Sequence, residues 1–129
     1  MKVRVYYEDT DSGGVVYYAN YLKFIERGRT EFLRSLGFEQ DQLIEQENII
    51  FAVKSLSADY VSPARFNDLL NVETTLEKAR RASLIFSQNI TDLEQNKVLF
   101  KAQITIACLN AQSFKPCAIP GEILEKING

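Results

Sequence analysis

A chain of 129 residues, 46% hydrophobic and 25% charged, carries enough apolar material for one modest core, so a single domain over residues 1–129 is expected. Its 15 basic and 17 acidic residues leave a net charge of −2, which excludes a global field drawing the chain onto nucleic acid; an anionic ligand must meet a local basic cluster. Histidine is absent, which removes Ser-His-Asp and Cys-His hydrolysis and the usual zinc hydrolases.

In chain order, residues 2–8 (KVRVYYE) read as a first strand, and Asp9 to Gly14 gather the Asp, Ser and Gly that stop one. From Ala19 the period lengthens. Leu22, Ile25, Phe32 and Leu36 fall near helical spacing, Gly28 and Thr30 leave room for close packing, Arg27 and Glu31 offer an i,i+4 pair, and Gly37 supplies a stop. A short second helix is expected over 41–47 (DQLIEQE), and everything after it reads as strand. The stretch 48–62 is long and irregular, suiting a bent or edge strand that ends at Ser62-Pro63. In 68–77, Leu70, Val72, Thr74 and Leu76 alternate with Asn71, Glu73, Thr75 and Glu77, the period of a half-buried antiparallel strand. The pattern recurs in 82–91 and in 98–108, where Val98, Phe100, Ala102, Ile104, Ile106 and Cys108 share a face.

One long helix over about five antiparallel strands is an α+β arrangement, and so small a one-sided layer gains from pairing with a second copy. Cys108 and Cys117 stand isolated, without CxxC spacing, so both are expected to be structural thiols, with neither a zinc site nor a disulfide framework. No segment has the roughly 18 apolar residues of a membrane span, and a cytoplasmic protein is expected.

The densest chemistry lies in YYEDTDSGGVVYYANY, residues 6–21. A calcium loop opening at Asp9 would put Asp11 at its third and Gly14 at its sixth position, but Gly13 occupies the fifth and Asn20 the twelfth, so no metal is expected there. Neither nucleotide-loop glycine motif occurs. Carboxylate chemistry survives: a carboxylate can act as nucleophile or as general base on water if another group holds the oxyanion. Gly13-Gly14 turns the backbone towards the start of the long helix, whose unpaired N–H groups and dipole can act on a carbonyl oxygen. Acids and glycines before a helix also serve as caps and turns, and the residues by themselves leave both readings open.

RVYYEDTDSGGVVYYANYLKFIERGRTEFLRSLG (4–37) resembles the signature of the 4-hydroxybenzoyl-CoA thioesterase branch of the hotdog superfamily, in particular its Tol-Pal-associated acyl-CoA thioesterases. The most specific part is the acid-x-Asp-x-x-Gly-hydrophobic-hydrophobic-Tyr pattern, joined to Asn20-Tyr21 and to the helix bearing Glu26, Arg27 and Arg29. FAVKSLSADYVSPARFNDLLNVET (51–74) and FKPCAIP (114–120) continue the likeness.

The resemblance implies a hotdog fold, a long helix wrapped by an antiparallel sheet, and homodimers or homotetramers with active sites between protomers. It implies hydrolysis of acyl-CoA to free acid and CoA, with CoA as part of the substrate and no separate cofactor. The family's catalytic aspartate matches Asp11, and its oxyanion-polarising N–H matches the peptide of Tyr18; Glu8 and Asp9 are structural. The Tol-Pal-associated pattern has histidine where this chain has Tyr18, whereas the 4-hydroxybenzoyl-CoA enzymes resemble it in having tyrosine. A phenol, which titrates near pH 10 in water, is a poor base at neutral pH, so position 18 is expected to act through its main chain. Arg80 and Arg81, beside Lys78 at a turn between strands, resemble the family's basic element for the CoA phosphates; Lys115 and Arg65 are weaker candidates. Acyl preference is expected to depend on how two protomers pack Tyr17, Tyr18, Phe51 and Tyr60. The alternative is a non-hydrolytic module binding acyl-CoA or acyl carrier protein, or a cell-envelope scaffold.

Overall fold

The computed structural model describes residues 1–128. Five strands, β1 (Lys2–Arg4), β2 (Ile49–Tyr60), β3 (Leu69–Ala79), β4 (Ser83–Asp92) and β5 (Lys97–Asn110), form one antiparallel sheet in the order β1-β3-β4-β5-β2. The alternation read in the sequence sets its buried face. Leu70 and Val72, then Leu84, Phe86, Gln88 and Ile90, then Phe100, Ala102, Ile104, Ile106 and Cys108 all point inward. Helix α1 (Asn20–Ser35) lies across that face and buries Tyr21, Phe24, Ile25, Gly28, Arg29 and Leu33, the stripe of a 3.6-residue period.

The expected room at Gly28 is a direct contact. A Cβ there would lie 2.8 Å from Thr74 Oγ1, 2.9 Å from Val72 Cγ1 and 3.0 Å from Gln88 Nε2, so the absence of a side chain lets α1 seat on β3 and β4. The helix ends as expected. Phe38 N–H donates to Leu33 O and Gly37 N–H to Arg34 O around a left-handed Gly37, the pattern of a Schellman close.

Five expectations need correction. The first strand keeps only Lys2–Arg4, because the chain leaves the sheet through a 3-10 turn at Tyr7–Asp9. Arg27 pairs with no acid among the described residues and instead lies over the Phe24 ring, at 5.9 Å; Arg34 takes Glu31, three residues back, together with Glu39. The chain does not run on as strand to its end. After β5 comes α3 (Gly121–Asn128), whose Ile123 is buried and whose Leu124 and Ile127 pack on the core. The cysteines, nine positions apart, are neighbours in space: the chain reverses after Asn110, Leu109 bridges Pro116, and the two sulfur atoms lie 3.6 Å apart as free thiols. Burial first, then the Cys117 thiol, pushes Cys108 up to about 12 from 9.0.

Val98 does not share the buried face with Phe100, because a register shift separates them and Leu99 is buried instead. The expected second helix and the irregular edge strand are both present. A short helical turn α2 (Gln40–Gln42) runs into a π turn over Leu43–Glu47, and β2 is both an edge strand and bent, with a register shift between Val53 and Ser55.

Candidate active site

The stretch 9–17 folds as a small hairpin. Thr10 bridges Val16, Asp11 N–H donates to Val15 O, and Tyr17 N–H donates to Asp9 O. Gly14 sits at φ +79°, a conformation that favours glycine, and lets the loop close. Val15 then bridges Arg65, and Val16 N–H donates to Ala64 O, which ties the hairpin to the loop between β2 and β3.

The two acids of the hairpin differ in what they hold. Asp9 Oδ2 accepts the Tyr6 N–H at 2.9 Å, and Asp9 O accepts both Tyr17 N–H and Asn20 Nδ2. Asp11 is exposed, and its Oδ1 accepts the Gly13 N–H at 2.8 Å; Oδ2 makes no hydrogen bond among the described residues. Asp11 therefore shapes its turn with one oxygen and presents the other. Tyr17 closes the hairpin at the end away from the Asp11–Gly14 turn, and Tyr18 follows it into the start of α1.

Helix α1 begins without a side-chain cap and without an acid in its first turn; Ala19 occupies the cap position. Serine, threonine or aspartate would normally satisfy the first N–H groups there. The N–H groups of Tyr18 and Ala19 donate to nothing among the described residues. The positive end of the helix dipole is thus left open at the surface.

Aromatic rings fix this helix start. Tyr21 stacks on Phe100, centroids 5.2 Å apart at 3°, and its hydroxyl accepts the Ala64 N–H at 2.9 Å. Tyr60 packs edge-on to Tyr21, Phe100 and Tyr18 and donates its hydroxyl to Tyr18 O. The surrounding phenols are poor bases. The neighbouring Tyr18 hydroxyl raises Tyr17 above its usual range, and burial raises Tyr21 and Tyr60.

Arg80 and Arg81 do stand at the β3–β4 turn, exposed and free of ion pairs among the described residues. Within one chain they do not join the helix start. Tyr21 stacks beside Phe100, which is paired with Ile90, whereas Arg81 precedes Ser83 at the other end of β4, roughly 25 Å away along the strand. Lys115 lies near that far end, where Asn110 N–H donates to Lys115 O, while Arg65 sits beside the Asp11 hairpin.

Composition and spacing pointed to none of the chemistry around Arg29, which is 7% exposed and donates from Nη1 to the fully buried Gln88 at 2.9 Å. The signal was available: both polar residues fall on the apolar faces of their elements, Arg29 between Ile25 and Leu33, Gln88 between Phe86 and Ile90.

A single long helix laid over a five-stranded antiparallel sheet, with an uncapped helix start beside a carboxylate hairpin, defines a hotdog-fold protein. Residues 5–127 match the family model of the thioesterase-like superfamily. An acyl-CoA thioesterase named YbgC from Haemophilus influenzae is 46% identical over 121 residues, 94% of this chain and 88% of that protein. The acyl-CoA thioester hydrolase YbgC of Escherichia coli is 43% identical over 122 residues, 95% of this chain and 90% of that protein. Among solved structures, a probable thioesterase from Bartonella henselae superposes with a TM-score of 0.87 at 37% identity, covering 93% of this chain and 97% of that one. The chain belongs to the thioesterase-like superfamily and is a hotdog-fold enzyme of the thioester hydrolase class.

Proposed function

We propose that the chain hydrolyses acyl-CoA thioesters in the cytoplasm, with Asp11 as nucleophile or general base and the Tyr18 N–H as oxyanion donor. The observation that carries this reading is the pair of unpartnered N–H groups at the uncapped start of α1, beside a hairpin that presents Asp11 Oδ2. A thioester held between the Asp11 carboxylate and the Tyr18 N–H bridges the hairpin and the helix start. As the carbonyl carbon becomes tetrahedral, its oxygen gains charge towards the Tyr18 N–H and the helix dipole.

Two routes balance. Asp11 adds to the carbonyl, the C–S bond breaks to release CoA thiolate, and water then opens the mixed anhydride. Otherwise Asp11 takes a proton from water as its oxygen adds to the carbonyl, and that proton passes to the departing thiolate. Either way one water is consumed, one C–O bond replaces one C–S bond, and the products are a carboxylate, CoA thiol and a proton. A CoA-type thiol, with a pKa of about 8.5, leaves without a strong acid, so the absence of histidine is no obstacle. No cofactor beyond the CoA of the substrate enters either route.

The site is completed by a second copy. β2 is a 12-residue edge strand that exposes Val53, Leu56 and Tyr60, and such an edge invites pairing. Antiparallel pairing of two β2 strands about a two-fold axis reverses one sheet relative to the other. Arg80 and Arg81 of one protomer then lie at the same end as Asp11 and Tyr18 of its partner, within reach of the phosphates of a bound CoA. Light scattering with a thiol-release assay tests the reading: an oligomer should release CoA from acyl-CoA, and a fully active monomer, or no release from any acyl-CoA, would defeat it.

A further inference from the structure

Removing a guanidinium from water costs several kcal/mol unless an anion meets it, and a methionine would fill similar space without that cost. Arg29, 93% removed from solvent, has no anion: it enters no ion pair among the described residues, and its one hydrogen bond goes to neutral Gln88 Oε1. Gln88 is held in turn. Its Nε2 donates to Ile25 O at 2.8 Å and to Thr74 Oγ1 at 2.9 Å, so its oxygen is fixed to face Arg29. The remaining guanidinium N–H groups have no partner among the described residues. Among the described residues no unpartnered side-chain nitrogen is sealed from solvent, so these groups open on a cavity of about 150 Å³. Arg29 lines that cavity among Leu33, Phe51, Leu84, Phe86 and Ile106. Glu26 stands at its exposed rim, where it partly offsets the lowering of the Arg29 pKa by burial; the group stays cationic.

The cavity wall is apolar around this cation, with Glu26 and Gln40 at its exposed rim, and it lies on a ridge of α1. Positions 22, 26, 29 and 33 follow one another at helical spacing from the open helix start, and Leu22 is exposed along the way. Allowing for the tilt of helical side chains towards the N-terminus, a thioester at Tyr18 and the Arg29 guanidinium are about 10 to 16 Å apart, the length of about eight to twelve extended carbons.

We propose that Arg29 receives the far end of the acyl group, and that the preferred substrates are medium-length acyl-CoA thioesters ending in a carboxylate. This rests on the hydrolytic reading above and specifies its substrate class. The chain carbons occupy the apolar wall, the carboxylate takes the unpaired N–H groups, and Gln88 holds the guanidinium in orientation.

The test compares thiol release from matched CoA esters of eight, ten and twelve carbons, with and without a terminal carboxylate, for the full chain and its Arg29→Met and Arg29→Lys variants. The wild type should favour the carboxylated member of at least one pair by about tenfold or more in kcat/KM, the scale of a charge-assisted hydrogen bond. Arg29→Met should bring that ratio to one or below while the protein still melts cooperatively, and Arg29→Lys should keep part of it. A wild-type ratio of one throughout, or an Arg29→Met variant that weakens both members equally, overturns the proposal. If no ester of either kind is hydrolysed, the hydrolytic reading fails separately. Calorimetric titration of the same esters then reads the cavity: tighter binding of the carboxylated member, lost in Arg29→Met, supports the assignment, and equal binding overturns it.

Discussion

Gly28→Ala sets two physical effects of opposite sign against each other. Inside a helix, alanine is favoured over glycine by about 1 kcal/mol, so propensity alone predicts a more stable protein. Here the new Cβ would lie 2.8 Å from Thr74 Oγ1 and 2.9 Å from Val72 Cγ1, short of the 3.4 Å at which ordinary contact begins. Either α1 lifts by about half an ångström or buried Val72 and hydrogen-bonded Gln88 give way. Lifting stretches the bonds from Gln88 to Ile25 O and Thr74 Oγ1, each worth about 1 kcal/mol, and crowding a packed core costs about 1–3 kcal/mol. The net expectation is a loss of about 1–3 kcal/mol, a fall in Tm of several degrees for a domain of this size. Thermal unfolding followed by circular dichroism reads it directly. Adding Val72→Ala should make the glycine substitution less costly, because the two share one space. A higher Tm for Gly28→Ala would refute the close seating of α1 on β3.

Replacing Arg80 and Arg81 together by alanine should raise KM for acyl-CoA several-fold with kcat nearly kept, and the effect should shrink at high salt; an unchanged KM at low salt returns the pair to the role of a solvated turn. At position 18, histidine should keep substantial activity because it keeps the N–H, whereas Tyr18→Pro should lower kcat about a hundredfold or more with its thermal transition intact; equal, mild effects would contradict the main-chain role. Cys108 titrates higher in the folded chain, at about 12 against 9.0, so the folded state holds more protons between these values, and stability that is complete below pH 9 should fall as pH rises towards 12. Cys108→Val should flatten that alkaline decline in urea unfolding, although Tyr21 and Tyr60, also raised by burial, contribute to it.

Strands β3 to β5 and helix α1 were legible because each has one wet and one dry face, and the period shows which is which. Helix α3 was missed although Ile123, Leu124 and Ile127 keep helical spacing, because eight residues carry little more than two turns of signal. The first strand was drawn too long for a different reason. Tyr6 and Tyr7 read as strand residues, yet both are exposed on a turn, and their rings belong to the surface around the hairpin. At the site, the turn formed by Asp11 and the glycines was readable as local chemistry, and so was the Arg80-Arg81 cluster. Their separation was not. It follows from the strand order, which no local pattern encodes. The meeting of Arg29 with Gln88 is likewise tertiary, a contact across 59 positions of sequence.

The central claim is that Asp11 carries out the chemistry, and the most direct measurement is kcat for thiol release by Asp11→Asn beside Asp9→Asn. Asparagine can still accept the Gly13 N–H through its side-chain oxygen, so the turn survives while the negative charge is lost. At Asp9 the same change keeps an acceptor for the Tyr6 N–H. The Asp11 variant should lose at least about a hundredfold in kcat with acyl-CoA binding retained, and the Asp9 variant should change far less. An Asp11 variant near wild type, whether or not the Asp9 variant fails, would contradict the assignment.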